Sequence, residues 1–313
     1  MPTGWKMSVE LTCTESTPAM PETPPDRCHA PRSLLFVPAT SPHKAEKAFA
    51  SAADGVILDL EDAVAVAEKP QARLTAAQLL NSRLNTLVFL RVNATTTPYC
   101  FDDLHVAAAA EIDGIVLPKA ESAAELAMVD WLLAQLEAKA GRPVGGIEIM
   151  PIVETARGLA AAAEIAQASP RLRRLAFGAV DLALDMDIDI ADEAGAMAHA
   201  RFMLALASRQ AGLQGPMDTV FVDIRDPDGL RASAMRARAM GFSGKCCIHP
   251  AQLDVVNAVF TPSEADLLRA REIVAAFEQA EAAGAAAVSV GGAMVDYPVY
   301  EKARRVLARR QDH

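Results

Sequence analysis

None of the five cysteines, Cys13, Cys28, Cys100, Cys246 and Cys247, belongs to a CxxC pair, so no zinc site is signalled. Cys246 and Cys247 are adjacent, and neighbours on a strand point to opposite faces rather than toward one metal. Reduced thiols of a cytoplasmic protein are the expectation. Positive charge is in short supply as well: 30 basic residues stand against 40 acidic ones, a formal net charge of -10, and there is no basic run. Such a surface repels nucleic acid and anionic membranes. No stretch is long and apolar enough to cross a bilayer as a helix. Missing too are a GxGxxG after the first strand-like run, a GxSxG elbow, an HExxH and a phosphate loop of Walker type. "DMDIDIADEAG" from Asp185 imitates the start of a calcium loop, but Ile190 stands where the sixth-position glycine belongs and no Glu occupies the twelfth. It is expected to be an exposed loop over a site.

What is present is apolar and regularly punctuated. With 313 residues, 51% of them hydrophobic, the chain can build one large core or two ordinary ones. Residues 1–30 carry Glu10, Glu15, Glu22 and Asp26 among Pro and Thr, and lack both an apolar signal core and an Arg-rich amphipathic face. They are expected to form a disordered tail. From Arg32 onward, β-rich runs alternate with Ala-rich helical segments: "SLLFVPA" from Ser33, "GVILDLE" from Gly55, "LVFLRVN" from Leu87, "GIVLPKA" from Gly114, "IEIMPIVE" from Ile147, "RLAFGAVD" from Arg174, "TVFVD" from Thr219 and "GKCCIHP" from Gly244. Continuous rather than alternating apolar strands are covered on both faces, as in parallel sheets joined by crossover helices. The helix after Ser122 has Glu125 in capping-box spacing, a stripe of Leu126, Val129, Leu133 and Leu136, and Gly141 as its stop. About eight such alternations predict an α/β fold, a (β/α)8 TIM barrel over residues 31–260. Residues 261–313 leave the repeat: Thr261 as cap with Pro262 and Glu264 opens a long helix, and Gly291-Gly292 turns a short hairpin before a last basic helix. They are expected to form a C-terminal helix and lid arm.

In this fold, active sites use residues at the carboxyl ends of strands. Those ends hold Asp59, Glu61 and Asp62, then Arg91 and Asn93, Lys119, Glu154, Asp181, Asp223 and His249. Glu154 and Asp181 are one strand–helix–strand repeat apart, so a barrel sets them on neighbouring strands 5 and 6. Like charges at about 4 Å repel by roughly 4 kcal/mol at an effective dielectric near 20. The pair therefore needs a shared proton or a cation, unless one carboxylate caps a helix while the other pairs with Arg157 or Arg174. All-oxygen ligands select a hard ion, Mg²⁺ or Mn²⁺, with positions left for water and substrate. Arg91 rises toward the same opening, suited either to grip a carboxylate or enolate oxygen or to pair with Asp59 or Glu61. His249 is expected to be a packed strand-end histidine, with a proton carrier as the alternative.

"RSLLFVPATSPHKAEKA", "GVILDLEDAVAVAEKPQAR", "FLRVNA", "IVLPKAES", "PIVETARGL", "LAFGAVDLALD" and "GFSGKCCIHPAQLDVVNAVFTPSEADLLRAREIV" resemble the citrate lyase β-subunit-like family of CoA-ester lyases, within the wider HpcH/HpaI aldolase group. The resemblance runs in order from about Arg32 to Tyr297. It implies Mg²⁺ on Glu154 and Asp181, substrate contact by Arg91 and Glu154, and an acid/base role for Asp296 of "GGAMVDYP" in a neighbouring subunit's site. It also implies that Lys44 and Lys47 meet the phosphates of CoA.

The reaction so implied is Mg-dependent, reversible carbon–carbon cleavage of a 3-hydroxyacyl-CoA, with (S)-citramalyl-CoA or L-malyl-CoA as substrate, giving a 2-oxo acid and acetyl-CoA. A homotrimer or dimer of trimers would let Asp296 be shared. Citryl cleavage within a citrate lyase complex, a pyruvate-type aldolase acting on free aldehydes, and a non-catalytic barrel subunit remain the alternatives.

Overall fold

A computed structural model describes residues 30–81 and 86–311; most of the expected N-terminal tail therefore lies outside the described residues. Eight strands, β1 (Ser33–Pro38), β2 (Gly55–Asp59), β3 (Leu87–Arg91), β4 (Gly114–Leu117), β5 (Glu148–Val153), β6 (Ala176–Phe177), β7 (Met217–Asp218) and β8 (Gly244–Cys247), close into one barrel in sequence order. Every neighbouring pair is parallel, β8 returning to β1 through Leu34 opposite Cys246. The crossovers are α1 (Pro42–Phe49), α2 (Lys69–Leu79), α3 (Cys100–Ala109), α4 (Ala123–Lys139), α5 (Ala156–Ala160) with α6 (Ala162–Ile165), α7 (Ala179–Met186) with α8 (Ala196–Gln210), and α9 (Pro227–Ala239); α10 (Leu253–Phe260) follows β8.

Two apolar layers explain the continuous strand runs. Alternate residues Leu34, Ile57, Phe89, Val116, Met150, Ile152, Ala176, Met217 and Cys246 fill the inside of the cylinder. The intervening residues, Leu35, Val56, Leu90, Ile115 and Ile149 among them, pack outward against the helices. Gly55 and Gly114 make room inside, since a Cβ there would lie 2.7 Å from Leu34 and from Phe89 respectively. By the same alternation Glu148 and Arg174 point into the lower end of the cylinder, both buried and joined Nε to Oε1 at 3.0 Å.

Helix α4 follows the sequence reading. Leu126, Val129, Leu133 and Leu136 are buried, each contributing about 1.5–3 kcal/mol. Ser122 Oγ accepts the Glu125 N–H, but the Glu125 carboxylate takes the Thr95 hydroxyl and the Glu121 N–H instead of closing a capping box.

Two boundaries differ from expectation. The seventh strand is Met217–Asp218, not the "TVFVD" run that follows. Asp218 turns outward to take Lys245 Nζ at 2.5 Å and Arg201 Nε at 2.7 Å, all three buried, and that polar cluster hides the strand from an apolar pattern. The terminal helix α11 (Glu264–Ala282) is capped by Ser263, whose hydroxyl takes the Asp266 N–H while Asp266 takes the Ser263 N–H, a complete reciprocal box. Thr261 serves instead to end α10, and its hydroxyl accepts from Arg32. Beyond α11, β9 (Val288–Val290) and β10 (Ala293–Val295) form an antiparallel hairpin turned by Gly291 and Gly292, both at positive φ as a two-residue turn of this hand requires. Helix α12 (Tyr297–Gln311) then packs along α11, with Phe277 stacked on Tyr300 at 4.7 Å.

Candidate active site

The carboxyl ends of the strands open into a cavity of about 400 Å³. Its rim includes Asp59, Asp62, Arg91, Glu154, Asp181 and Thr219, and its floor is Val116, Met150, Ile152, Ala176 and Cys246. Strand alternation dictates the split: Asp59, Arg91 and Glu154 share the inward face with Ile57, Phe89 and Ile152 but stand at or just past the strand ends. Asp181 comes from the first turn of α7, where a carboxylate suits the helix dipole. Thr219 Oγ1 accepts the Ala179 N–H at 3.0 Å, tying the start of α7 to the end of β7.

Glu154 is 3% exposed. Its Oε1 accepts the Lys119 N–H at 2.8 Å. Burial first, and the charge of Asp181 second, push its carboxyl up from the ordinary range to about 8. Neither Arg157 nor Arg174 relieves it, because Arg157 approaches Glu121 and Arg174 pairs with Glu148. Gly178 is the other wall of this cradle: a Cβ there would lie 2.3 Å from Glu154 Oε2. A buried carboxylate facing a partly exposed one, with oxygen ligands only, is the donor set that suits Mg²⁺. Among the described residues no group of three or more His, Cys, Asp or Glu forms a metal cluster, so two carboxylates at this mouth leave room for water and substrate oxygens.

Arg91 forms the ion pairs foreseen as its alternative. Asp59 takes Nε at 2.8 Å and Nη2 at 2.5 Å, and Glu61 Oε2 lies 2.9 Å from Nη1. Burial lowers the guanidinium's affinity for its proton, but the bonds to Asp59 and the charges of Asp59 and Glu61 outweigh that and hold it above its ordinary range. The plane also lies 4.9 Å from the centre of the Phe36 ring. Arg91 remains part of the cavity wall.

Other rim residues have separate places. Lys119 and Glu61 belong to the cluster, joined Nζ to Oε1 at 2.8 Å, with Asp181 Oδ1 3.7 Å from Nζ; the sequence places both on the rim and offers Glu61 to Arg91, but gives no sign of the contact between Lys119 and Glu61. Asn93 turns away, buried between Lys69 and Asp103. Asp223 is exposed in the loop after β7, beside Arg225. His249 is exposed rather than packed, and its Nδ1 accepts the Ala251 N–H as a cap. The Asp185 segment is exposed as expected, with Asp192 capping α8 through the Gly195 and Ala196 N–H groups. Lys44 and Lys47 are exposed on α1. Asp296 caps α12, taking the Val299 N–H at 3.3 Å, and does not line the cavity of its own chain. Cys100, Cys246 and Cys247 are buried free thiols.

A parallel eight-stranded barrel with acidic groups and Arg91 at its mouth has the architecture of an enzyme whose site lies at the carboxyl ends of its strands. The chain belongs to the HpcH/HpaI aldolase/citrate lyase family, whose model matches residues 32–250. It is 36% identical over 279 residues to citrate lyase subunit beta of Leuconostoc mesenteroides subsp. cremoris, covering 88% of this chain and 92% of that one. It is also 36% identical over 310 residues to the L-malyl-CoA/beta-methylmalyl-CoA lyase of Rhodobacter capsulatus, covering 92% and 97%. Among solved structures, CitE of Mycobacterium tuberculosis in complex with magnesium, acetoacetate and coenzyme A matches with a TM-score of 0.76 and 35% identity over 91% of this chain and 99% of that one. The chain is thus an enzyme of the lyase class.

Proposed function

We propose that this CoA-ester lyase reversibly cleaves (S)-citramalyl-CoA or L-malyl-CoA to a 2-oxo acid and acetyl-CoA. The carrying observation is the two-tier cavity, a charged rim over an apolar floor. A 2-hydroxy carboxylate meets the rim, and the floor accepts a hydrogen or a methyl group. The additional carboxylate of a citryl group would have to share Arg91 and Lys119 with Asp59 and Glu61, which already engage them, and an incompletely paired buried charge costs several kcal/mol. The methyl that separates the two favoured substrates is worth only about 1–3 kcal/mol.

Glu154 and Asp181 would hold Mg²⁺, or Mn²⁺ by the same donor set. The bound ion supplies Lewis acidity and a template for oxygen ligands. Arg91, fixed by Asp59, offers its uncommitted N–H groups to the oxygen on which negative charge develops. The substrate hydroxyl gives its proton to water at the rim, the carbon–carbon bond breaks with its electron pair passing to the thioester enolate, and the former hydroxyl carbon becomes the carbonyl of the oxo acid. Asp296 of a neighbouring chain delivers the proton to the enolate carbon, or removes it in the condensing direction. That sharing makes the working form a homotrimer or a dimer of trimers, with the barrel over 31–260 and the arm over 261–313 acting across chains. Lys44 and Lys47 neutralise CoA phosphates, and a cytoplasmic location supplies the thioester. The CitE structure with magnesium and coenzyme A supports both ligands.

The test is an assay of the purified protein on malyl-, citramalyl- and citryl-CoA, with and without EDTA, following oxo acid and acetyl-CoA together. EDTA-sensitive cleavage of the first two is the expected result. Preferential citryl cleavage overturns the substrate reading, and release of free CoA without oxo acid replaces lysis by hydrolysis.

A further inference from the structure

Lys119 touches three carboxylates of the mouth from one backbone position. It is one of two described non-glycine residues at positive φ, 52°, a conformation in which a side chain costs energy and which persists where surrounding contacts require it. The turn aims its N–H at Glu154 Oε1, 2.8 Å away, and sends its ammonium to Glu61 Oε1, also at 2.8 Å, with Asp181 Oδ1 at 3.7 Å. Glu61 is 7% exposed, and its second oxygen lies 2.9 Å from Arg91 Nη1. Each oxygen of Glu61 therefore has a cation beside it, although only Oε1 accepts a hydrogen bond.

We propose that Lys119 is a positioning residue that keeps Glu61 from becoming a third carboxylate ligand, so that the divalent ion on Glu154 and Asp181 is held loosely with coordination positions open to substrate. The proposal rests on the metal reading above. Two effects of the ammonium act in the same direction. It occupies Glu61 Oε1, and its charge opposes that of the ion. A unit charge about 5 Å from a dication changes affinity by about tenfold even at the dielectric of water. An ion wrapped by three carboxylates would bind more tightly and catalyse less, since metal-assisted chemistry needs vacant positions for the reacting oxygens.

The experiment titrates the full-length protein with Mg²⁺ by calorimetry and with Mn²⁺ by electron paramagnetic resonance, beside turnover. Lys119→Met is expected to bind either ion at least about tenfold more tightly while its kcat falls. Glu61→Gln is expected to bind more weakly, because the freed ammonium then sits beside Asp181, and the double variant returns toward the parent. Lys119→Arg keeps the parent affinity. Unchanged or weaker binding by Lys119→Met, or tighter binding by Glu61→Gln, overturns the proposal while leaving the metal site standing. A parent protein that binds neither ion removes the metal site itself, and this proposal with it. Should Lys119→Met fail to fold, Glu61→Gln and Lys119→Arg decide by the same signs.

Discussion

Replacing Gly178 by alanine tests whether the Glu154 cradle sets the reacting geometry. Gly178 has φ -111° and ψ 85°, which alanine tolerates, so the effect must come from contact rather than from backbone strain. The added methyl would lie 2.3 Å from Glu154 Oε2, 2.5 Å from Glu154 Cβ and 3.0 Å from Ile152 Cγ2. Carbon atoms rest about 3.5–4.0 Å apart, so the clash with Glu154 Cβ is about 1 Å. The carboxylate can rotate away, but its Cβ is fixed to the backbone. Either the end of β5 or the start of α7 must move, and α7 carries Asp181 three positions on. Overpacking of this kind costs about 1–3 kcal/mol, a modest fall in melting temperature. A 1 Å misplacement of reacting groups costs about 100-fold in rate. The expected result is a folded protein with kcat/KM for malyl- or citramalyl-CoA down about 100-fold and weakened Mg²⁺ binding, read from steady-state kinetics at varied Mg²⁺ and a thermal melt. Activity and Mg²⁺ affinity both within about twofold of the parent, less than 0.5 kcal/mol, would refute the reasoning.

Without metal, the Glu154 carboxyl is raised by burial and Asp181 to about 8, so between its ordinary range and that value the folded chain binds more protons than the unfolded one. Its contribution to stability therefore falls as pH rises through this window: the metal-free protein melts higher near pH 6 than above pH 8, and Glu154→Gln flattens the difference. For the same reason Mg²⁺ binding at neutral pH releases a proton, read from calorimetric heats in buffers of different ionisation enthalpy; absence of any release contradicts the protonation state. Glu137→Ala takes the carboxylate from both Nη groups of Arg171, whose side chain is 3% exposed, leaving Asp130 as its remaining charge partner, and removes the acceptor of the Gly145 and Ile147 N–H groups. Urea unfolding should show a loss of about 3–5 kcal/mol with turnover per folded molecule unchanged. Finally, co-expressed Glu154→Ala and Asp296→Ala chains should show activity that neither has alone; no complementation means that Asp296 does not serve a partner's site.

The barrel was legible because each early strand is covered on both faces and so reads as an unbroken apolar run, as Gly55–Asp59 and Glu148–Val153 do. β7 was not, because outward Asp218 is neutralised by Lys245 and Arg201 from elements distant in sequence, while the apolar residues after it include an exposed Val222. Local chemistry also misdirected the cap of α11: Thr261 and Ser263 are both eligible, and Asp266 decides for Ser263. At the site, repeat spacing and the resemblance drew attention to Glu154 and Asp181, and both line the cavity. The part played by Lys119 had no such signal, since a lysine at positive φ leaves no mark in the sequence and its partner Glu61 lies 58 positions away.

The Glu148–Arg174 pair, with Phe89 across Gly114 from Glu148, fills the bottom of the cylinder. A blind-ended tube has one doorway, and molecules of unequal length must use it in turn. On the proposed reaction, a short oxo acid bound below the bulky nucleotide thioester would be trapped until that departs. Such a shaft enforces an order of traffic, first in and last out, that no side chain at the rim needs to impose.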